Sequence, residues 1–314
     1  MFSSRRLRRV LPLTALAATT LIASTACGGG SDSAGDGTRV VASFYPLAWL
    51  SEQVGGAEVS VDTLTKPGAE PHDLELTPRQ IAGLGEAGLV VYIKGLQPAV
   101  DKEIGRAKND ALDAASVVKT LPPPAEDGHG DEHGEEGHED EASYDPHVWL
   151  DPSRMAAIAT AVGERLAGAD TAHAATYRAN AKALAGRLTA LDGEFRAGLK
   201  SCKLKSMVTA HAAFGYLADR YGLTQVSIAG IDPNSEPSPK RLAELTHEIK
   251  DNGATTVFTE TLVSPKVAQT LAREAGVRTA TLDPVEGLAE GSRDDYLSIM
   301  RKNLTTLRTA LSCS

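Results

Sequence analysis

The sequence predicts an α/β protein of two lobes, each a parallel sheet flanked by helices, joined by a long rigid spine helix. Three observations carry that expectation. From Val40 onward short β-rich runs alternate with helical patterns, the rhythm of parallel βαβ units. The rhythm stops at an acidic stretch and resumes after one long amphipathic segment. A length of 314 residues also exceeds what a single hydrophobic core usually serves.

Taken in order, Val40–Ser43 and Val59–Leu64 read as strands with a helix, Leu47–Val54, between them. Thr77-Pro78 opens the next helix, because Thr caps an N-terminus and Pro fits the first turn. Leu89–Ile93 has the length of a strand and Ala99–Arg106 the pattern of a helix. Asp151-Pro152 starts a helix to about Ala167, and Asp170 caps a longer one. Along the latter, Tyr177, Ala181, Leu184, Leu188, Leu191, Phe195 and Leu199 recur every three or four residues and line one face. About 30 residues of helix would span about 45 Å. The alternative is two shorter helices broken at Gly186 or Gly193. The rhythm then repeats: strand Ser206–Ala210, helix Ala213–Tyr221, strand Gln225–Ile228, a helix from Ser238-Pro239 to Asn252-Gly253, strand Thr255–Thr259, a helix from Ser264-Pro265 to Gly276, and strand Val277–Leu282. The expected organisation is therefore a signal at 1–26, a tether at 27–38, an N-terminal lobe at 39–169, the linking helix at 170–200 and a C-terminal lobe at 201–314.

Composition narrows the function. With 41 acidic against 32 basic residues the net charge is −9, which disfavours a nucleic-acid partner, since phosphate binding needs clustered cations. The stretch Glu126–Glu141 holds nine acidic residues and no Lys or Arg, so it alone accounts for that excess. Three cysteines exclude a disulfide-dense scaffold and a cysteine-rich zinc domain.

Location is written at the N-terminus. Arg5, Arg6, Arg8 and Arg9, the apolar run Val10–Ile22 and Ser24-Thr25-Ala26 are the three parts of an export signal. Cys27 follows directly, where a thiol can take a diacylglycerol, so the segment resembles a bacterial lipoprotein signal. The alternative is an ordinary secretory signal with an incidental cysteine. Residues 28–38 are mostly Gly, Ser and Asp, a flexible tether with a reach of about 18 Å. The protein is thus expected outside the cytoplasm, lipid-anchored to the membrane and monomeric. In an oxidising compartment Cys202 and Cys313 favour a disulfide; the alternative is two buried thiols.

The candidate chemistry is metal binding. His72 follows the strand ending near Leu64, His211 ends the strand Ser206–Ala210 and Asp283 ends the strand Val277–Leu282. His147 sits in Asp145-Pro146-His147-Val148-Trp149. Open α/β sheets bind ligands at the carboxyl ends of their strands. Three imidazoles and a carboxylate are an N₃O set that suits tetrahedral Zn²⁺. Their wide separation in the chain excludes a local zinc knuckle.

The stretches SFYPLAWLSEQVGG, GAEPHDLELTP, YDPHVWLDP, TAHAAFGYLADRYGL, EPSPKRLAEL, VFTETLVS and LDPVEGL, spanning Ser43 to about Gly287, resemble in order the zinc/manganese-binding solute-binding lipoproteins of ABC transporters, the ZnuA-like family. The resemblance implies two α/β lobes joined by a long helix, metal held between them by His72, His147, His211 and Asp283, and delivery to an ABC-type membrane permease. It also implies zinc: members resembling manganese binders carry a carboxylate where this chain has His211, and nitrogen donors favour Zn²⁺ over Mn²⁺. His129, His133 and His138, set among the carboxylates of 126–141, are expected to form an auxiliary metal-binding loop of the kind that zinc-type relatives carry there; the alternative is a solvated acidic loop whose histidines are incidental. Glu260 is expected to receive a ligating imidazole N–H, and Glu70 to do the same or to approach the metal. One alternative is a solute-binding protein for manganese or another divalent metal; an enzyme, specifically a zinc hydrolase, is the competing class. It lacks a His-Glu-x-x-His helix here, and a fourth protein ligand would close the open position that catalysis needs.

Overall fold

A computed structural model describes residues 37–106, 110–124 and 143–314. The export signal, Cys27, the tether up to residue 36 and the acidic segment with His129, His133 and His138 lie outside the described residues. Gly37 to Ser314 make up one compact unit.

The first sheet contains β1 (Thr38–Ala42), β2 (Val59–Thr63), β3 (Leu89–Tyr92) and β4 (Ala111–Asp113), with α1 (Tyr45–Gly55), α2 (Pro78–Glu86) and α3 (Pro98–Ile104) between them. Its strands are all parallel in the order β2-β1-β3-β4. α4 (Pro152–Ala169) and α5 (Ala174–Leu199) follow. The second sheet contains β5 (Ser206–Thr209), β6 (Thr224–Ser227), β7 (Thr256–Thr259) and β8 (Arg278–Thr281), with α6 (Gly215–Tyr221), α7 (Pro239–Asp251) and α8 (Lys266–Ala275) as crossovers, and α9 (Tyr296–Ala310) closes the chain. It is parallel too, in the order β6-β5-β7-β8.

Local chemistry sets the boundaries. Thr77 caps α2 in a reciprocal box, its hydroxyl accepting the Gln80 N–H while the Gln80 side chain accepts the Thr77 N–H at 3.0 Å. The central strands β3 and β7 are buried, as strands covered on both faces must be, whereas the edge strands β2 and β8 carry exposed polar residues.

α5 is one unbroken helix of 26 residues. Its apolar stripe, Tyr177 through Leu199, is buried in a single core that also takes residues from both sheets, and it packs on α1, α4, α6 and α9. Gly186 and Gly193 do not break it, because a Cβ at either position would meet nothing within 4 Å: both face open space while the opposite face packs. The helix starts four residues later than expected. The Asp170 carboxylate is engaged in the turn after α4, accepting the Ala172 N–H at 3.1 Å and meeting His173 Nδ1 at 2.6 Å. Sequence periodicity missed β4, which is only three residues long, and α9, whose buried Asn303 interrupts its apolar stripe.

Cys202 and Cys313 are joined by a disulfide that ties the end of α5 to the chain's last residues across 111 positions. In the chain-entropy picture, closing a loop of that size restricts the unfolded state by about 4–5 kcal/mol.

Candidate metal centre

In an open sheet of order 2-1-3-4 the chain leaves the first strand in one direction and the third in the other, and a crevice opens at the strands' carboxyl ends. Both sheets have that order. His72 lies in the loop after β2, His211 directly after β5 and Glu260 directly after β7, while Glu286 lies beyond β8. His147 starts the short helical turn Val148–Leu150 that leads into α4.

These loops bring His72, His147, His211 and Glu286 together, one donor atom from each lying within 4.8 Å of all the others. The Nε2 atoms of His72, His147 and His211 stand 3.5, 3.5 and 3.1 Å from one oxygen, Oε1 of Glu286. A tetrahedron with metal–ligand bonds of about 2.0–2.1 Å has edges of about 3.3 Å. The Glu286 edges therefore match a zinc-sized site. His72 Nε2 and His147 Nε2 are buried and have no hydrogen-bond partner. Orphaned buried acceptors are costly unless something coordinates them.

Asp283 is not in this group. Its Oδ1 accepts the Val285 N–H at 2.7 Å and its Oδ2 accepts the Thr261 hydroxyl at 3.1 Å, so the carboxylate folds back into its own turn. Burial pushes its pKa up. The chain needs three more residues after Asp283 before a carboxylate reaches the histidines, and that carboxylate is Glu286. The signal was present in the sequence: Glu286 lies in the same LDPVEGL stretch, but strand-end position alone pointed to Asp283.

The outer contacts orient the rings. Both oxygens of Glu260 lie 2.8 Å from His211 Nδ1, and Oε1 also accepts the His211 backbone N–H at 3.1 Å. Asp145, which the sequence reading did not single out, stands 2.7 Å from His147 Nδ1 and accepts the His147 backbone N–H at 3.0 Å. A carboxylate at Nδ1 holds the proton there and leaves Nε2 as the donor to metal. Glu70 meets His72 differently: it accepts the backbone N–H at 3.0 Å rather than a ring N–H. Its pKa is pushed up to about 8, chiefly by burial and then by the charge of Glu286.

The four donors differ in charge state. Burial would lift the Glu286 carboxyl, but the His211 charge and the three imidazoles that face it outweigh that and leave the pKa well below the usual range. His211 goes the opposite way: burial disfavours its cation, and the carboxylates of Glu286 and Glu260 overcome that and hold its pKa well above the ordinary imidazole value. His147 is raised against the pull of burial, mainly by Asp145. His72 is lowered, because burial dominates there.

Residues 40–310 match the family model described as zinc-uptake complex component A, periplasmic, ZnuA. The high-affinity zinc uptake system protein ZnuA of Bacillus subtilis is 35% identical over 306 residues, covering 91% of this chain and 93% of that one. The zinc-binding lipoprotein AdcA of Streptococcus pneumoniae is 37% identical over 277 residues, covering 86% of this chain but 55% of its own length. The chain thus spans about half the length of the AdcA proteins it matches. Among solved structures, the Zn(II)-bound ZnuA-like domain of S. pneumoniae AdcA superposes with a TM-score of 0.73 at 34% identity, covering 88% of this chain and 99% of that domain. The laminin-binding protein Lmb of Streptococcus agalactiae, described as an adhesin with metal-transporting activity, gives 0.77 at 31% identity, with 88% and 100% covered.

Proposed function

We propose that this chain, which belongs to the ZnuA family of zinc-uptake complex components, captures one Zn²⁺ with His72, His147, His211 and Glu286 and delivers it to an ABC-type uptake permease. The observation that carries this reading is the convergence of three Nε2 atoms on a single Glu286 oxygen, at 3.1–3.5 Å. Three borderline nitrogens and one oxygen suit zinc better than the harder Mn²⁺. Four protein donors close the coordination shell, whereas a catalytic zinc keeps a position open for water. Binding without turnover follows from that closure.

The protein works outside the cytoplasm as a monomer, held at the membrane by a lipid on Cys27. Support comes from the export-signal pattern of residues 1–26, and no helix among the described residues is long and apolar enough to cross a membrane. The segment with His129, His133 and His138 offers zinc a weaker, auxiliary landing place.

The test is a pair of isosteric substitutions with zinc affinity read by chelator competition. Glu286→Gln is expected to weaken binding about a hundredfold, since about 10–16 kcal/mol of zinc binding shared among four ligands is about 3 kcal/mol each. Asp283→Asn, which keeps an oxygen for the Val285 N–H, should cost several-fold at most. A reversed order would reject this ligand set.

A further inference from the structure

Glu286 reaches the histidines from a strained turn. Val285, the residue before it, has φ 59°. That is the left-handed region, which a β-branched side chain adopts only under constraint. Such a conformation persists where the surroundings over-determine it, and here they do. The Val285 N–H is held by Asp283 Oδ1 at 2.7 Å. The carbonyl of Pro284 accepts the indole N–H of Trp149 at 2.8 Å. Both backbone groups of Asp283 are bonded to Asn303 of α9, whose Oδ1 accepts the N–H at 2.9 Å and whose Nδ2 donates to the carbonyl at 2.6 Å. Three consecutive residues before the ligand are thus pinned, Val285 from within the turn and Asp283 and Pro284 by groups from separate parts of the chain.

Trp149 links this turn to a second ligand. It stands two residues after His147, its ring centre 5.1 Å from that imidazole and 4.7 Å from the Phe44 ring, which it meets edge-on. Its own carbonyl accepts the Tyr296 hydroxyl at 2.6 Å, so the indole has little freedom to move. The N–H is the only polar group of a fully buried side chain, and it is directed at Pro284.

We propose that Trp149, with Asp283 and Asn303, is a positioning device: it holds the Pro284–Val285 turn so that Glu286 is already aimed at the histidine nitrogens before zinc arrives. The proposal rests on Glu286 being a metal ligand. Its physical content is preorganisation. A loosened turn would have to be ordered during binding, and that ordering subtracts from affinity.

The experiment is a double-mutant cycle on the full-length protein, read by zinc–chelator competition. Trp149→Phe keeps the ring packing and removes the donor; Asn303→Ala releases the turn from α9, far from the metal. Each is measured alone and with Glu286→Gln. Trp149→Phe is expected to weaken zinc binding about tenfold, the worth of roughly one buried hydrogen bond, and Asn303→Ala by a similar factor. Both losses should vanish in the Glu286→Gln background, because there is then no carboxylate to aim. A loss of equal size in both backgrounds means general destabilisation and overturns the proposal. So does parental affinity in both single variants despite a large Glu286→Gln effect, which would leave the ligand set standing. Parental affinity in Glu286→Gln itself overturns the ligand set and the positioning together. If Trp149→Phe fails to fold, Asn303→Ala carries the same comparison.

Discussion

The first sheet runs β2-β1-β3-β4 and the second β6-β5-β7-β8, the same order of parallel strands, yet they surround their donors differently. On the first side, the His72 ring faces no carboxylate except Glu286 among the described residues, and burial lowers its pKa. On the second side, His211 lies between Glu260 and Glu286, both buried, and is held as a cation. His147, with the single carboxylate Asp145 at its Nδ1, is intermediate. The lesson is that topology delivers donors to a crevice, while the carboxylates beside each donor decide its charge before metal arrives. His72 is ready as a neutral ligand. His211 holds a proton that zinc must displace.

The largest effect that separates the two sides should come from removing the imidazoles. His72→Ala and His211→Ala are each expected to weaken zinc binding at least about a hundredfold, following the same division of about 10–16 kcal/mol among four ligands. They should part company in the metal-free protein. His211→Ala leaves Glu260 and Glu286 buried without the cation between them and should lower the melting temperature, since an uncompensated buried charge is strongly destabilising. His72→Ala removes no such partner and should leave it near the parent value. Equal melting temperatures in excess chelator would erase the contrast.

The next effect is in pH. Protons compete with zinc for Nε2, so affinity must fall as pH falls through the imidazole range. His211 and His147 have raised pKa values and keep the competing proton to higher pH than an ordinary imidazole, whereas His72 is lowered and loses it sooner. Once pH is below the raised pKa values of His211 and His147 but above the lowered one of His72, the affinity should therefore drop by about a hundredfold per pH unit, two protons' worth rather than three. Calorimetry in buffers of different ionisation enthalpy counts the protons. A count of three would place His72 with the other two.

The smallest effect concerns the supporting carboxylates. Glu260→Gln and Asp145→Asn should each weaken zinc binding about 10–100-fold, the usual range for a group that orients a ligating histidine. Each carboxylate holds both the ring and the backbone N–H of its histidine, so Glu260→Gln should cost more only because Glu260 supplies charge to the side that has most of it. Identical losses measured by chelator competition would show that orientation matters and charge does not.

His72 and His211 were legible in the sequence because strand ends can be read from β-rich runs, and parallel sheets bind at those ends; His147, in the turn before α4, was carried instead by the YDPHVWLDP stretch. Glu260 was legible for the same reason as His72 and His211. Asp283 was the natural extension of that logic, and there the logic stopped. β8 ends at Thr281, and whether Asp283 or Glu286 turns inward depends on φ at Val285 and on bonds from Thr261, Trp149 and Asn303. All three partners lie in other parts of the chain, so no local pattern could reveal them. Asp145 was hidden differently. It sits in the quoted YDPHVWLDP stretch, but an Asp before Pro also reads as a turn residue, and only the folded loop shows it at His147 Nδ1.

By itself the sequence determined the alternation of strands and helices and the apolar stripe of α5, because each is encoded in residue spacing along a few turns or strands, and it singled out the three histidines that the fold brings together. Tertiary structure decided that α5 passes unbroken through Gly186 and Gly193, since packing on one face outweighs weak propensity on the other. It also decided the oxygen donor. A side chain's direction out of a turn depends on backbone angles held by distant partners, and those angles exist only once the chain has folded.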